Sequence, residues 1–228
     1  MPSLAMCRPQ LLDPWRKQPE ETVTSLFPMF IKLAGKQCLV VGAGKVGKPK
    51  IGGLIDTGAR IHVVAIEASS QVRDWADAGK IKLELRAFSE NDLDGKFLAV
   101  VATASNRLNE LIYRQAQRRG VLCNVVDVPE YCDFLYPAVV QRGDLQIAIS
   151  TAGKSPSLAQ KLRQQLERQF GPGYAEWVRQ LGETRRLILA SDLDQERKSE
   201  LLHSLASREA FEAELAKIPV LSAKGEGA

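Results

Sequence analysis

Residues 36–57 read KQCLVVGAGKVGKPKIGGLIDT, and no other stretch constrains the fold as strongly. Gln37-Cys38-Leu39-Val40-Val41 has the apolar content of a buried parallel strand and runs straight into Gly42-Ala43-Gly44-Lys45-Val46-Gly47 and a helical pattern. A strand, a glycine turn and a helix in that order put free backbone N–H groups and the positive end of a helix in one place, which suits an anion. Each glycine has its own reason: Gly42 for the tight turn, Gly44 for backbone approach to a pyrophosphate, Gly47 for close packing of helix on sheet. The stretch points to a bound dinucleotide; a glycine turn without a ligand is the plainer alternative.

The unit then repeats. Apolar runs at residues 61–66, 81–85, 98–102 and 121–126 alternate with helical patterns that begin near 70 and 106. That alternation gives right-handed βαβ units and a mostly parallel sheet. Glu67 stands at the end of the second run, 20 residues after Gly47. A carboxylate there bonds the adenosine ribose and repels a 2′-phosphate, so NAD is expected rather than NADP. Thr103 follows the fourth strand at the same carboxyl edge, either beside the cofactor or in the cap of the next helix. Asp127 ends the fifth strand on that edge, where it is placed as a general base beside a nicotinamide or, more plainly, as a loop cap.

After residue 136 the pattern changes. Residues 138–141 and 145–150 flank Arg142-Gly143-Asp144 and read as a hairpin, which is marginal in water and needs a partner, either its own sheet or another subunit. Thr151-Ala152-Gly153-Lys154-Ser155-Pro156-Ser157 opens a helix ending near 170, and Gly171-Pro172-Gly173 stops it before helices over roughly 174–190 and 195–216. Arg142, Lys154, Lys161, Arg163 and Arg168 face only Asp144 and Glu167 in this segment. Such a run suits an acidic substrate, against the bland reading of a solvated helix face.

Composition narrows the classes. No apolar run approaches the roughly 18–20 residues of a membrane span, and Pro2, Pro9, Pro14 and Pro19 interrupt any apolar core of a secretion signal. A cytoplasmic protein without a membrane partner is expected. The net charge of +4 comes without aromatic-basic interleaving, so no nucleic-acid partner is expected. Cys7, Cys38, Cys123 and Cys132 lack C-x-x-C spacing and read as reduced thiols; with His62 and His203 the only histidines, no metal site is expected.

Five segments together resemble the precorrin-2 dehydrogenase family, which includes the N-terminal half of bacterial sirohaem synthase. They are Leu26-Phe27-Pro28-Met29-Phe30, the loop VGAGKVGKPK, Asn124-Val125-Val126-Asp127, Asp133-Phe134-Leu135-Tyr136-Pro137-Ala138 and the 151–157 segment. The resemblance implies an α/β fold: an NAD-binding Rossmann-like parallel sheet, a small β-hairpin dimerisation segment and a C-terminal helical domain. The corresponding bounds are a flexible arm over 1–25, then 26–136, 137–165 and 166–216, and a flexible tail over 217–228. It implies NAD-dependent oxidation of precorrin-2 to sirohydrochlorin in sirohaem synthesis, by a homodimer. Several members also insert ferrous iron, which leaves Fe²⁺ open as a second substrate here; most of its ligands would come from the tetrapyrrole.

Asp127 matches the family aspartate implicated in both steps. The implied NAD contacts are Gly44, Lys45, Val46, Ile66 and Glu67, which join Gly42, Gly47 and Thr103 from the loop and strand-end pattern. The implied tetrapyrrole contacts are Asn124, Thr151, Gly153, Lys154 and Ser155. The chain departs from the family at Ala43 and Pro49, where a glycine and an arginine are common, and at Ala104 and Ser105, where acidic residues are frequent. It ends where longer sirohaem synthases continue into a methyltransferase, so that activity is expected to be absent. A rival is an NAD-sensing regulatory module similar to the domains that gate potassium transport; it explains residues 36–126 but none of the motifs after 132.

Overall fold

The computed structural model describes residues 26–215. Strand β1 (Gln37–Ala43) is apolar because both of its faces are covered, and Cys38, Leu39 and Val40 are fully buried. Strands β2 (Arg60–Ala68), β3 (Lys82–Leu85), β4 (Leu98–Val101) and β5 (Leu122–Val125) join it in parallel, in the spatial order β3-β2-β1-β4-β5. Alternation along β1 sorts the core. Cys38 and Val40 face α1 (Gly47–Ile55) and α2 (Ser70–Asp77) through Ile51, Leu54 and Val72, whereas Leu39 and Val41 face α3 (Asn106–Arg118) through Ile112 and Ala116.

Strand order reverses between β1 and β4, and at such a point a crevice opens beyond the carboxyl ends of the strands. The expected strands are all present with small shifts of their ends. The largest are at the carboxyl ends of β1 and β2, which continue to Ala43 and Ala68 because those two residues pair across an irregularity in β1. Glu67 therefore lies inside the strand end rather than after it.

Beyond the sheet, β6 (Ala138–Arg142) and β7 (Leu145–Ile149) form a separate antiparallel pair, turned by Gly143 at φ +57°. One face is covered, with Val140 buried; the other leaves Val139, Gln141, Gln146 and Ala148 exposed. Helices α4 (Pro156–Gln169), α5 (Gly173–Ala190), α6 (Gln195–Leu205) and α7 (Arg208–Leu215) follow. The single helix expected over 195–216 is two in the described residues. Ser207 caps the start of α7, its hydroxyl accepting the Ala210 N–H at 3.1 Å and its carbonyl the Phe211 N–H at 3.2 Å. The turn swings Phe211 onto Tyr174 and Trp177, with ring centroids 4.1 and 4.8 Å away.

The expected boundary between residues 165 and 166 falls within α4. The arm over 1–25, Cys7 and the tail over 217–228 lie outside the described residues. Among the described residues no helix is long and apolar enough to cross a membrane.

Candidate functional site

The glycine loop shows why each glycine is there. Gly42 has φ +102°, and a Cβ on it would sit 2.3 Å from the Ala102 carbonyl oxygen; a Cβ on Gly47 would sit 2.0 Å from the Gly42 carbonyl oxygen. Gly47 is thus required by the turn of its own loop, a closer approach than helix against sheet. Gly44 meets no protein atom within 4 Å, so the protein alone gives no reason for a glycine there, and a ligand drawn against the backbone would. Val46 precedes α1 without a side-chain cap, while Lys48 N–H turns back to the Gly44 carbonyl at 2.9 Å. Pro49 is the third residue of α1 and brings no N–H, so this helix end offers one donor fewer than usual.

Ile66 and Glu67 stand at the carboxyl end of β2, both exposed. At 70% exposure Ile66 is a large apolar side chain left in water where an adenosine would lie. Close by, the Ser69 hydroxyl is buried without a hydrogen-bond partner although it precedes α2. Glycine cradle, uncapped helix end, bare isoleucine and orphaned hydroxyl together fit a dinucleotide. Thr103 is built into the start of α3: its hydroxyl donates to Asn109 Oδ1 at 2.6 Å, and Asn109 Nδ2 donates to the Thr103 carbonyl at 3.3 Å.

Asp127 lies across the switch point from Glu67, beyond β5, with φ +65°. Aspartate is one of the few residues that accept this left-handed conformation. The turn closes by Val128 N–H to the Val125 carbonyl at 3.2 Å. Residues 132–134 are clamped to β5 behind it. Buried Asn124 donates to the Phe134 carbonyl at 2.7 Å and to Cys132 Sγ at 3.3 Å, and Asp133 accepts the Cys123 N–H at 2.8 Å. The Asn124 amide nitrogen is therefore engaged within the fold. The Cys132 thiol donates to the Val125 and Val128 carbonyls at 3.2 Å. Burial raises the Cys38 and Cys132 thiols and pushes Cys123 up to about 12, so all are poor nucleophiles.

Sequence reading missed a pair at this site. Lys50, on the second turn of α1, holds its Nζ 3.8 Å from the centroid of the Tyr136 ring. Burial lowers the Lys50 ammonium below the ordinary lysine range, and the Asp127 carboxylate pulls it partly back. The Tyr136 hydroxyl is pushed up to about 12, chiefly by burial, although 41% of the residue is exposed. Both residues lay within motifs already singled out; nothing in the sequence says that they touch.

The 151–155 loop is a compact turn. Ala152 and Gly153 are consecutively left-handed at φ +50° and +78°, the Thr151 hydroxyl accepts the Ser155 N–H at 3.0 Å, and the Ser155 hydroxyl accepts the Leu158 N–H at 3.3 Å. Lys154 is exposed. The basic run is smaller in effect than in sequence. Arg142 donates to the Phe170 and Glu167 carbonyls at 2.8 and 3.1 Å, closing the end of α4, and Arg163 pairs with Glu167. Lys154, Lys161 and Arg168 remain exposed. The glycine loop, Ile66, Glu67, Thr103 and Asp127 thus share one sheet edge; among the described residues no hydrogen bond or ion pair joins the 151–155 loop to it.

A cavity of about 490 Å³ lined by Arg60, His62, Lys80, Lys82 and Lys96 lies at the opposite, amino edge of the sheet. It is not the dinucleotide crevice, which this topology opens at the carboxyl edge. There burial holds the His62 imidazole below its usual range, with Nε2 3.1 Å from Glu84 Oε1 but out of hydrogen-bond alignment. No group of three or more histidine, cysteine, aspartate or glutamate side chains among the described residues is arranged to hold a metal ion.

Two family models match in succession, one described as NAD(P)-binding over residues 29–138 and one as the central part of the sirohaem biosynthesis protein over 142–169. The chain is similar to sirohaem synthases. The second match covers the hairpin turn and α4, which the regulatory-module reading left unexplained. Among sirohaem synthases, that of Nitrosococcus oceani is 42% identical over 140 residues, 61% of this chain and 30% of the relative. That of Escherichia coli K12 is 41% identical over 140 residues, 61% of this chain and 31% of the relative. The chain thus spans less than a third of the length of these relatives. A solved structure named SirC, precorrin-2 dehydrogenase, superposes with TM-score 0.72 at 28% identity, covering 84% of this chain and 100% of that one.

Proposed function

We propose that this protein is an NAD-dependent precorrin-2 dehydrogenase of the cytoplasm, oxidising precorrin-2 to sirohydrochlorin. The observation that carries the reading is Asp127, whose carboxylate stands beyond β5 on the same edge as the open face of Gly44. The sirohaem synthase relatives and the precorrin-2 dehydrogenase structure support the substrate class. Gly42, Gly44, Lys45, Val46 and Gly47 would hold the pyrophosphate, Ile66 and Glu67 the adenosine, and Thr103 would border the nicotinamide half. Bound NAD⁺ supplies the hydride acceptor. Asp127 takes the proton that must leave as the macrocycle loses hydride, and holds it at a carboxylate oxygen until solvent removes it. Asn124 and Asp133 keep the segment behind Asp127 fixed while it does so. Thr151, Gly153, Lys154 and Ser155 would meet the substrate's acidic rim, Lys154 by charge and the others by shape.

Ferrous-iron insertion into sirohydrochlorin draws on the same carboxylate, since the pyrrole N–H protons also have to leave. A homodimer through the bare face of β6 and β7 would give the hairpin the partner it lacks.

The test is formation of NADH and sirohydrochlorin from precorrin-2 and NAD⁺. Asp127→Asn is expected to lower turnover by about 10²–10⁴-fold, with NAD⁺ affinity and melting temperature unchanged. If the wild type binds NAD⁺ but never turns over precorrin-2, the dehydrogenase reading fails. Iron insertion is read separately, from sirohydrochlorin and Fe²⁺ with and without protein.

A further inference from the structure

Lys50 has a use that the hydride reaction does not require. Its ammonium lies over the Tyr136 ring and feels the Asp127 carboxylate through space, which puts it toward the β5 end of the crevice, away from Ile66 and Glu67. In a sheet of this order, that is the nicotinamide and substrate end rather than the adenosine end. Its charge is half-buried, yet among the described residues it stands in no ion pair with a carboxylate; the Tyr136 ring on one side is what faces it. An aromatic face attracts an ammonium group without using up its N–H donors. Lys50 is therefore a cation already desolvated and already restrained, with donors to offer, next to the proposed base.

We infer that Lys50 is a substrate-anchoring residue, whose ammonium takes one carboxylate of the tetrapyrrole rim and so sets the macrocycle against Asp127. The inference rests on the proposed precorrin-2 reading, since it takes its acidic ligand from that substrate. The restraint is part of the mechanism: a lysine held by Tyr136 loses little further freedom when the carboxylate arrives, and a charge-assisted bond in a half-dry site is stronger than one in water. Asp127 is close enough to act on Lys50 through space but is not bonded to it, so anchoring and proton removal stay on separate groups. Burial favours giving up the lysine proton, and an arriving carboxylate reverses that tendency.

The experiment titrates sirohydrochlorin, and separately NAD⁺, into the wild type, Lys50→Met, Lys50→Gln and Lys50→Arg, reading the tetrapyrrole absorbance, with a thermal melt of each. Lys50→Met is expected to weaken sirohydrochlorin binding by about 10–100-fold, with NAD⁺ affinity unchanged. Lys50→Arg should recover most of the loss. Raising salt should weaken binding to the wild type more than to Lys50→Met. Lys50→Gln repeats the measurement with a polar side chain should the methionine variant melt early. Sirohydrochlorin binding to both neutral variants at wild-type strength overturns the inference while leaving the dehydrogenase reading intact. A loss confined to NAD⁺ overturns it too, by giving Lys50 to the cofactor pyrophosphate. A wild type that binds NAD⁺ but no tetrapyrrole overturns both.

Discussion

The five-stranded sheet and the segment from β6 to α7 are stabilised differently. In the sheet, Leu39, Val40, Val63, Val64, Val100, Val101 and Val125 are fully buried, and helices close both faces. From β6 onward, Val140, Ala159 and Phe211 are the buried apolar residues among the described side chains. What holds this half is Arg142 on the last carbonyls of α4, an aromatic group of Phe170, Tyr174, Trp177 and Phe211, and ion pairs along the helices. Meanwhile Leu187 is 73% exposed and one hairpin face is bare. The sheet carries its own closed core, whereas the second half buries little apolar surface among the described residues.

The contrast can be broken at several strengths. Leu39→Ala should cost about 2–5 kcal/mol in urea unfolding, while the same truncation at exposed Leu187 should stay within about 0.5 kcal/mol. Similar losses at the two leucines would erase the distinction. Phe211→Ala should cost roughly 3 kcal/mol at most. Its sharper signature is local: amide exchange should speed up in α5–α7 while β1 and β4 stay protected. A uniform rise across the chain would show instead that the two halves unfold together.

Acid gives the smallest effect. Glu84 is held at about 2 by hydrogen bonds from Lys82 and Arg86, and Asp92 is lowered chiefly by Arg86. On α5, Glu176 is held at about 2 by Arg179. A folded carboxylate lowered in this way stabilises above the unfolded value of about 4 and loses that contribution as pH falls through the folded value. Melting temperature should therefore fall between about pH 4 and pH 2, and less steeply in Arg86→Met. Because Asp92 is nearly buried and Glu176 is not, high salt should flatten the α5 share and spare that of the sheet. Equal salt sensitivity in Arg86→Met and Arg179→Met would count against the comparison.

Much of the sheet was legible because its signals are local. A parallel strand covered on both faces reads as an apolar run, and Gly47 answers to the Gly42 carbonyl within its own loop, although Gly42 itself answers to Ala102 beyond β4. Asp127 was legible as the end of such a run. What could not be read was long-range pairing. Arg142 looked like one more surface cation until its donors met the carbonyls of Glu167 and Phe170. The division between α6 and α7 rests on one serine in a helical pattern, and Lys50 and Tyr136 are 86 positions apart in sequence. Charge and periodicity do not record which distant backbone or ring a side chain will reach.

The left-handed backbone at Asp127 bears on how any substitution there is interpreted. An alanine at that position removes the carboxylate and also places a residue ill suited to positive φ, with a strain of roughly 1–2 kcal/mol. A glutamate keeps the charge but shares the backbone penalty. Asparagine keeps the backbone preference and changes only the charge. A tolerance scan would therefore score this position as rigid for two unrelated reasons, one conformational and one chemical, and asparagine is the exchange that separates them.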